Sequence, residues 1–329
     1  MSTLAHRIGL GAIVVVLALV LAGLIGVAVW SAAAPGQGSA GGRSSNPLSG
    51  ATFYIDPGSS ASKAAAADPS GDLRAITSEP AGIWLLPEQY PASTVGTHVS
   101  TVLEAAGRAG DVPVFVIYGI PNRDCGSHSA GGEDTSADYQ AWVTQIARGL
   151  SEGPSVVILE PDALALTTQC DDTDARVADL QGAIATLAPT GATIYLDAGH
   201  SAWQPVDTIV QLLGAVGLGS IRGFATNVSN FNATADELAY DEQISARLGG
   251  AHFVIDTSRN GNGPAPDAAF CNPPGRQLGE PPRVVADGTP LDATLWVKNP
   301  GESDGSCNGG PPAGQWWQAG ALALIAGEG

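Results

Sequence analysis

Acidic side chains recur just past the ends of short apolar runs. VFVIYGIPNRD ends at Asp124, VVILEPD at Asp162, TIYLDAG carries Asp197 and TLWVKNPGESD ends at Asp304. The runs are short and β-branched, so each reads as a buried strand. Loops that follow the carboxyl ends of parallel strands share one face, which brings the four aspartates into one cleft. No cysteine or histidine cluster accompanies them, so the expected chemistry is acid–base work on an uncharged substrate, with no metal and no cofactor. Hydrolysis of a glycosidic bond asks for such a set: one carboxylic acid protonates the leaving oxygen while a second group activates water or attacks. Glu160-Pro161-Asp162 at a strand end, with Asp124 on the neighbouring strand's loop, offers that pair. Like charges held close raise one pKa, which would let Asp162 keep its proton near neutral pH.

The elements that must position these groups alternate along the chain. Strands are expected at 52–55, 82–86, 112–119, 155–160, 193–198, 221–227, 252–258 and 293–298. Helices are expected over His98–Ala109, Ala137–Leu150, Ala175–Leu187, Pro205–Val216 and Thr234–Leu248, the last with a Thr cap and Asp236-Glu237 in its first turn. Strand–helix alternation over this length predicts a parallel α/β barrel or a doubly wound sheet. No G-x-G-x-x-G follows the first strand, which favours the barrel.

Composition narrows the setting. With 14 Lys+Arg against 32 Asp+Glu, the formal charge of −18 would be repelled by phosphate backbones, so no nucleic-acid partner is expected. Between His6-Arg7 and the small residues from Ser31, the stretch Ile8–Trp30 carries no charge. Roughly 20 apolar residues can cross a bilayer, so residues 1–34 read equally as a cleaved signal peptide or a membrane anchor, with the rest exported. Residues 35–48 form a Gly/Ser/Pro-rich linker, and 49–329 one domain, expected to act as a monomer. Cys125, Cys170, Cys271 and Cys307 all lie in the exported part without a C-x-x-C pair, which indicates two disulfides and leaves three connectivities open.

Seven stretches together carry a family resemblance: YGIPNRDCGSHSAGG, VVILEPDALA, YLDAGHSAW, FATNVSNF, VIDTSRNGNGP, FCNPPGR and LWVKNPGESDGSC. Over roughly Phe53 to Trp317 the chain resembles glycoside hydrolase family 6, the inverting β-1,4-glucanases, and within it the bacterial endoglucanase type. The resemblance implies a distorted, incompletely closed α/β barrel of about seven strands, with its cleft at the carboxyl ends of the strands. It implies that Asp162 is the general acid and that Asp124 tunes that acid and relays a proton. It makes Asp304 a second candidate for the base, and it puts Tyr118 beneath the scissile sugar. Asp197, His200, Trp203, Asn227, Arg259, Phe270, Lys298 and Glu302 match sugar-binding positions. The family's disulfide pattern pairs Cys125 with Cys170 and Cys271 with Cys307. Phe270 stands where many members have Trp, Ala64 or its neighbours stand where they have a Trp platform near the amino terminus, and Ala130 stands where a related type has a cleft serine, which weakens stacking. The implied partner is a β-1,4-linked glucan, cut internally.

Two look-alikes fail on their own residues. DTSRNGNGPAPD (256–267) mimics a calcium loop but follows a strand, contains Pro264 and Pro266 and lacks the terminal Glu. GHSAW (199–203) sits like a nucleophile elbow but ends in Trp. The rival functions are a feebly active or inactive cell-wall-associated glucan-binding protein and an exo-acting cellobiohydrolase.

Overall fold

Strand positions alternate between two apolar environments, and this two-sided burial shapes the barrel. A computed structural model describes residues 45–68 and 70–327. Its strands are β1 (Ile83–Leu85), β2 (Val114–Ile117), β3 (Val156–Leu159), β4 (Thr193–Asp197), β5 (Gly223–Thr226), β6 (His252–Asp256), β7 (Arg283–Val284) and β8 (Leu291–Leu295). They form one sheet in the order β1-β2-β3-β4-β5-β6-β8-β7. Seven are parallel, and the two-residue β7 pairs antiparallel on the outside of β8. The inner face stacks Val116, Ile158, Tyr195, Ala225, Val254 and Leu295 in the barrel interior. Their strand neighbours Phe115, Ile117, Val157, Leu159, Leu196 and Phe253 face outward against the helices.

The outer layer comprises α1 (Ser60–Ala67), α2 (Arg74–Thr77), α3 (Val95–Ala109), α4 (Ser136–Leu150), α5 (Thr167–Cys170), α6 (Thr173–Leu187), α7 (Val206–Val216), α8 (Thr234–Arg247) and α9 (Gln318–Ala326). Helix α4 shows why such segments start where they do. Thr135 Oγ1 accepts from Asp138 N and donates to the Asp138 carboxylate, and Trp142, Val143 and Ile146 then bury one face. The barrel stays incompletely closed. Between β1 and β8 there is no ladder among the described residues, only Gly82 N to Trp296 O and Trp84 Nε1 to Val297 O.

Several expectations need correction. TFYI makes only a single bridge, Phe53 to Val112. The last strand runs over Leu291–Leu295, so Trp296 and Val297 lie beyond it, both still buried, and Lys298 reaches the cleft. Thr234 is not a cap: it lies inside α8, and its Oγ1 accepts from Asn260 Nδ2. Helices α1 and α9 were not foreseen. They share a small satellite core of Ala61, Leu73, Ile76 and Ala321, joined by Trp316. No helix among the described residues is long and apolar enough to cross a membrane. The apolar stretch 8–30 and most of the linker lie outside the described residues.

Candidate active site

Three loops bring acids to one cleft of about 1170 Å³ whose lining includes Tyr118, Asp124, Asp162 and Asp304. Asp162 lies three residues past the end of β3. Its backbone is left-handed (φ 69°), as is that of Glu160 (φ 48°), so the chain turns sharply at the strand end and aims the Asp162 side chain inward. Such conformations cost about 1–3 kcal/mol each and persist only where neighbours enforce them. Here the Asp162 N–H donates to Asp197 Oδ1 at 2.9 Å. Arg176, buried in α6, donates to Ala163 O and to Asn122 O, tying the Asp162 and Asp124 loops together.

Electrostatics separates the three cleft acids. Burial and then the Asp124 charge raise Asp162 to about 7, against Lys298 and Arg176. Asp162 therefore holds a proton near neutrality. Asp304 is also buried, but Arg259 and Lys298 outweigh that and hold its carboxyl below the ordinary range. Arg259 Nη1 donates to both Asp304 oxygens at 2.9 and 2.8 Å, Lys298 Nζ lies 3.4 Å away, and Asn272 N donates at 3.0 Å. Asp124 accepts one hydrogen bond, from Ser129 N at 2.7 Å, and is partly open to the cleft.

Aromatic rings floor the cleft beside the acids. Tyr118 meets Trp84 edge-on at 5.3 Å and lies under the Arg123 guanidinium at 4.6 Å. Burial, then Asp162 and Asp124, push its phenol well up, so it stays neutral. Trp203 lies 5.4 Å from the His200 ring. Asn232 Nδ2 donates to His200 Nδ1, which leaves Nε2–H as the ring's donor, and burial lowers His200 to about 4. Gly199 (φ +73°) permits this approach, since a β-carbon there would meet Ala165 and Trp203.

The family model for glycosyl hydrolases family 6 matches residues 48–328. The chain belongs to this family. It is 50% identical over 281 residues to endoglucanase A of Cellulomonas fimi, covering 84% of this chain and 61% of that one. It is 41% identical over 267 residues to endoglucanase A of Thermobispora bispora, covering 77% and 58%. The chain thus spans about three-fifths of these two relatives. Among solved structures, the endoglucanase Cel6 of Mycobacterium tuberculosis, in complex with a thio-linked cellobioside, superposes with a TM-score of 0.82 at 45% identity, covering 86% of this chain and 99% of that one.

Within this family 6 cleft, His200, Trp203, Phe270, Lys298 and Glu302 line the cavity. Phe270 is 56% exposed. Three other positions do not reach it. Asp197 is fully buried, with Oδ1 accepting from Asp162 N and Gly199 N. Asn227 is buried, donating to Asn232 O and Asp256 O. Arg259 is spent on Asp304 and on the Phe231 ring. The expectation that these three touch sugar hydroxyls is corrected to positioning, because burial leaves a ligand no path to them. Ala64 packs in the satellite core, outside the cleft. Both disulfides join the expected pairs, with Cα atoms 5.7 and 6.1 Å apart. The calcium look-alike is resolved too: Asp256 accepts from the backbone N–H groups of Ser229, Ser258 and Lys298.

Sequence reasoning missed Trp84, Glu88 and Glu160. Trp84 sits in the middle of an apolar run, where a ring reads as core. Glu88 accepts from Gly132 N and from Arg123, pinning the base of the Asp124 loop. The E-P-D stretch signalled Glu160, but only geometry shows its use: it accepts from Gly119 N and Ile120 N.

Proposed function

We propose that the protein is an exported, endo-acting glycoside hydrolase that cuts β-1,4-glucosidic bonds of cellulose or a soluble β-glucan with inversion. The observation that carries this reading is a protonated Asp162 set against Asp124 in a cleft floored by aromatic rings. Asp162 delivers its proton to the leaving glycosidic oxygen. The attacking water passes its proton toward Asp124, which has lone pairs to spare. Asp304 is a poor base, because three donor groups, Arg259, Lys298 and Asn272 N, and a lowered pKa keep it a fixed anion. That anion suits stabilisation of the positive charge that develops on the sugar ring in an oxocarbenium-like transition state. Tyr118 packs beneath that ring, and Trp84 and Trp203 offer flat apolar faces to neighbouring sugars. Intact acids speak against a binding-only protein.

Endo-action is supported by the named bacterial relatives and by the short connection from Val297 to Cys307, which leaves little chain to roof the cleft. Residues 1–34 are read as signal or anchor and 35–48 as tether, and two disulfides fit an oxidising compartment. The test is carboxymethylcellulose hydrolysis followed by viscosity and reducing ends together. An early fall in viscosity is expected. Release of cellobiose with viscosity unchanged would establish the exo-acting reading instead, and no release would leave glucan binding alone.

A further inference from the structure

His128 stands at the tip of the loop that carries Asp124, and neither acid–base chemistry nor the sugar platforms employ it. The loop is a small hairpin closed at its base by Arg123 N to Gly131 O, with Cys125 bonded to Cys170. From its exposed tip, His128 reaches two other loops. Its ring meets Phe270 edge-on at 5.7 Å. It also lies on the backbone of Gly305, so close that a β-carbon added there would be 2.8 Å from Nδ1. Gly305 directly follows Asp304, and Ser129, directly after His128, donates the hydrogen bond that Asp124 accepts. One side chain therefore links the loops of Asp124, Phe270 and Asp304.

We infer that His128 is a positioning residue: it clasps the Asp124 loop onto Gly305 and Phe270, so that Asp124 and Asp304 are held as one unit around Asp162. The inference rests on the proposed hydrolytic reading for its catalytic consequence but not for its geometry. The tip's other ties come from its base, where buried Arg123 donates Nε to Ser129 O and Nη2 to Ala130 O and is itself fixed by Glu88. Arg123 holds the carbonyl of Ser129 but not its N–H, so without the clasp the peptide between His128 and Ser129 turns and Asp124 loses its orientation toward Asp162. The groups facing Asp162 are Asp124 from the β2 loop, Asp304 and Lys298 from the β8 loop, Arg176 from α6, Tyr118 beyond β2 and Asp197 at the end of β4. Of these, the clasp governs Asp124 most directly. Retreat of that negative charge makes Asp162 easier to ionise, so the basic limb of the activity profile moves to lower pH.

The experiment uses His128→Ala, Gly305→Ala, the double variant and His128→Phe in the full chain. His128→Ala and Gly305→Ala should each lower kcat on a soluble β-1,4-glucan about tenfold, the scale of a misplaced catalytic group, and move the basic limb down. The double variant should be no worse than Gly305→Ala alone, because the β-carbon added at Gly305 clashes with the His128 ring that the other change removes, and His128→Phe should restore most activity. Hydrogen exchange of the segment 121–132 should rise in both alanine variants whether or not glucan is cleaved. Additive losses, an unmoved basic limb, or a raised KM with kcat unchanged in His128→Ala would overturn the clasp, the last by marking His128 as a sugar contact. If the unmodified protein cleaves no glucan, the hydrolytic reading falls. Linked changes in hydrogen exchange would then uphold the clasp, and unlinked ones would overturn it.

Discussion

Carboxylates stand at two levels at the top of this barrel. The lower tier ends the strands: Glu160 directly after β3, Asp197 as the last residue of β4 and Asp256 as the last of β6, all buried. Each accepts backbone N–H groups from the neighbouring loops and so stitches one loop to the next. The upper tier, Asp124, Asp162 and Asp304, stands further along the loops and faces the cleft. Residue type is the same in both tiers, and depth decides the use. A lower-tier acid needs only carbonyl-like acceptors, whereas an upper-tier acid must hold or release charge. Replacing acids by amides therefore separates the tiers.

The largest effect is expected in the upper tier. Asp162→Asn keeps the shape but cannot deliver a proton, so hydrolysis of unactivated glucan should fall about 10²–10⁴-fold, the scale of general acid catalysis. Substrates with an acidic phenol leaving group need little protonation and should suffer far less. Steady-state rates on the two substrate kinds check this, and equal losses would move Asp162 out of the acid's role. In the unmodified protein the basic limb of kcat/KM should lie near pH 7, where Asp162 loses its proton. A limb two units higher would contradict its environment.

Asp197 tests the lower tier. Its carboxyl is pushed well up by burial and then by Asp162, which favours the neutral form. Its Oδ1 holds Asp162 N and Gly199 N, while Oδ2 has no hydrogen-bond partner. An amide reproduces this arrangement, so Asp197→Asn should stay close to full activity. Asp197→Ala removes the acceptor beneath the left-handed Asp162 and should lower kcat about 10–100-fold, as misplacement of the acid predicts. Activity assays on both variants decide the point. Equal damage from Asn and Ala would show that Asp197 acts through charge.

What the sequence revealed follows the same division. Strand runs and helix periodicity located the barrel because burial on both faces leaves β-branched stretches that composition alone exposes. The acids of the upper tier were legible as acids past strand ends. Their tier was not, because Asp197 and Asp162 differ by only three residues in distance from a strand end, and such a step changes the direction of a side chain. Asn227 and Arg259 were misplaced for the same reason: a motif preserves a residue that supports the cleft as well as one that touches its ligand. Trp84 was hidden inside an apolar run, and β7 was too short to carry a period.

The disulfide of the Asp124 loop should have a smaller effect than either tier. Cys125 follows Asp124 directly, has a left-handed backbone (φ 48°) and is tied to Cys170 at the end of α5. The barrel core lies elsewhere, in the layers around Phe115, Ile158 and Phe253, and is large enough to fold without the bridge. Cys125→Ser with Cys170→Ser should therefore leave far-ultraviolet circular dichroism near native while activity drops several-fold. Loss of the spectrum would mean the bridge supports the fold, and undiminished activity would mean that Glu88, Arg123 and the tip contacts hold the loop alone.

Glu160 should show almost no effect on catalysis and a clear one on stability. Burial raises its carboxyl from 4.5 to about 7, against the N–H groups of Gly119 and Ile120 and the charge of Arg123. The folded protein thus keeps this proton between pH 4.5 and 7, where the unfolded chain gives it up. The sign follows: the stability from this group is fully present below about pH 4.5, is lost as pH rises to about 7, and is level above. A shift of this size corresponds to roughly 3 kcal/mol. Asp162 and Asp197 add slopes of the same sign, so only the difference between proteins isolates Glu160. Glu160→Gln keeps an oxygen for the backbone donors and removes the titration. Denaturant unfolding across pH 4.5–8 should give the variant a flatter profile by about that amount, with hydrolysis near the unmodified level. A parallel pair of profiles would place the Glu160 proton elsewhere, and a large loss of hydrolysis would move Glu160 from the stitching tier into the reactive one.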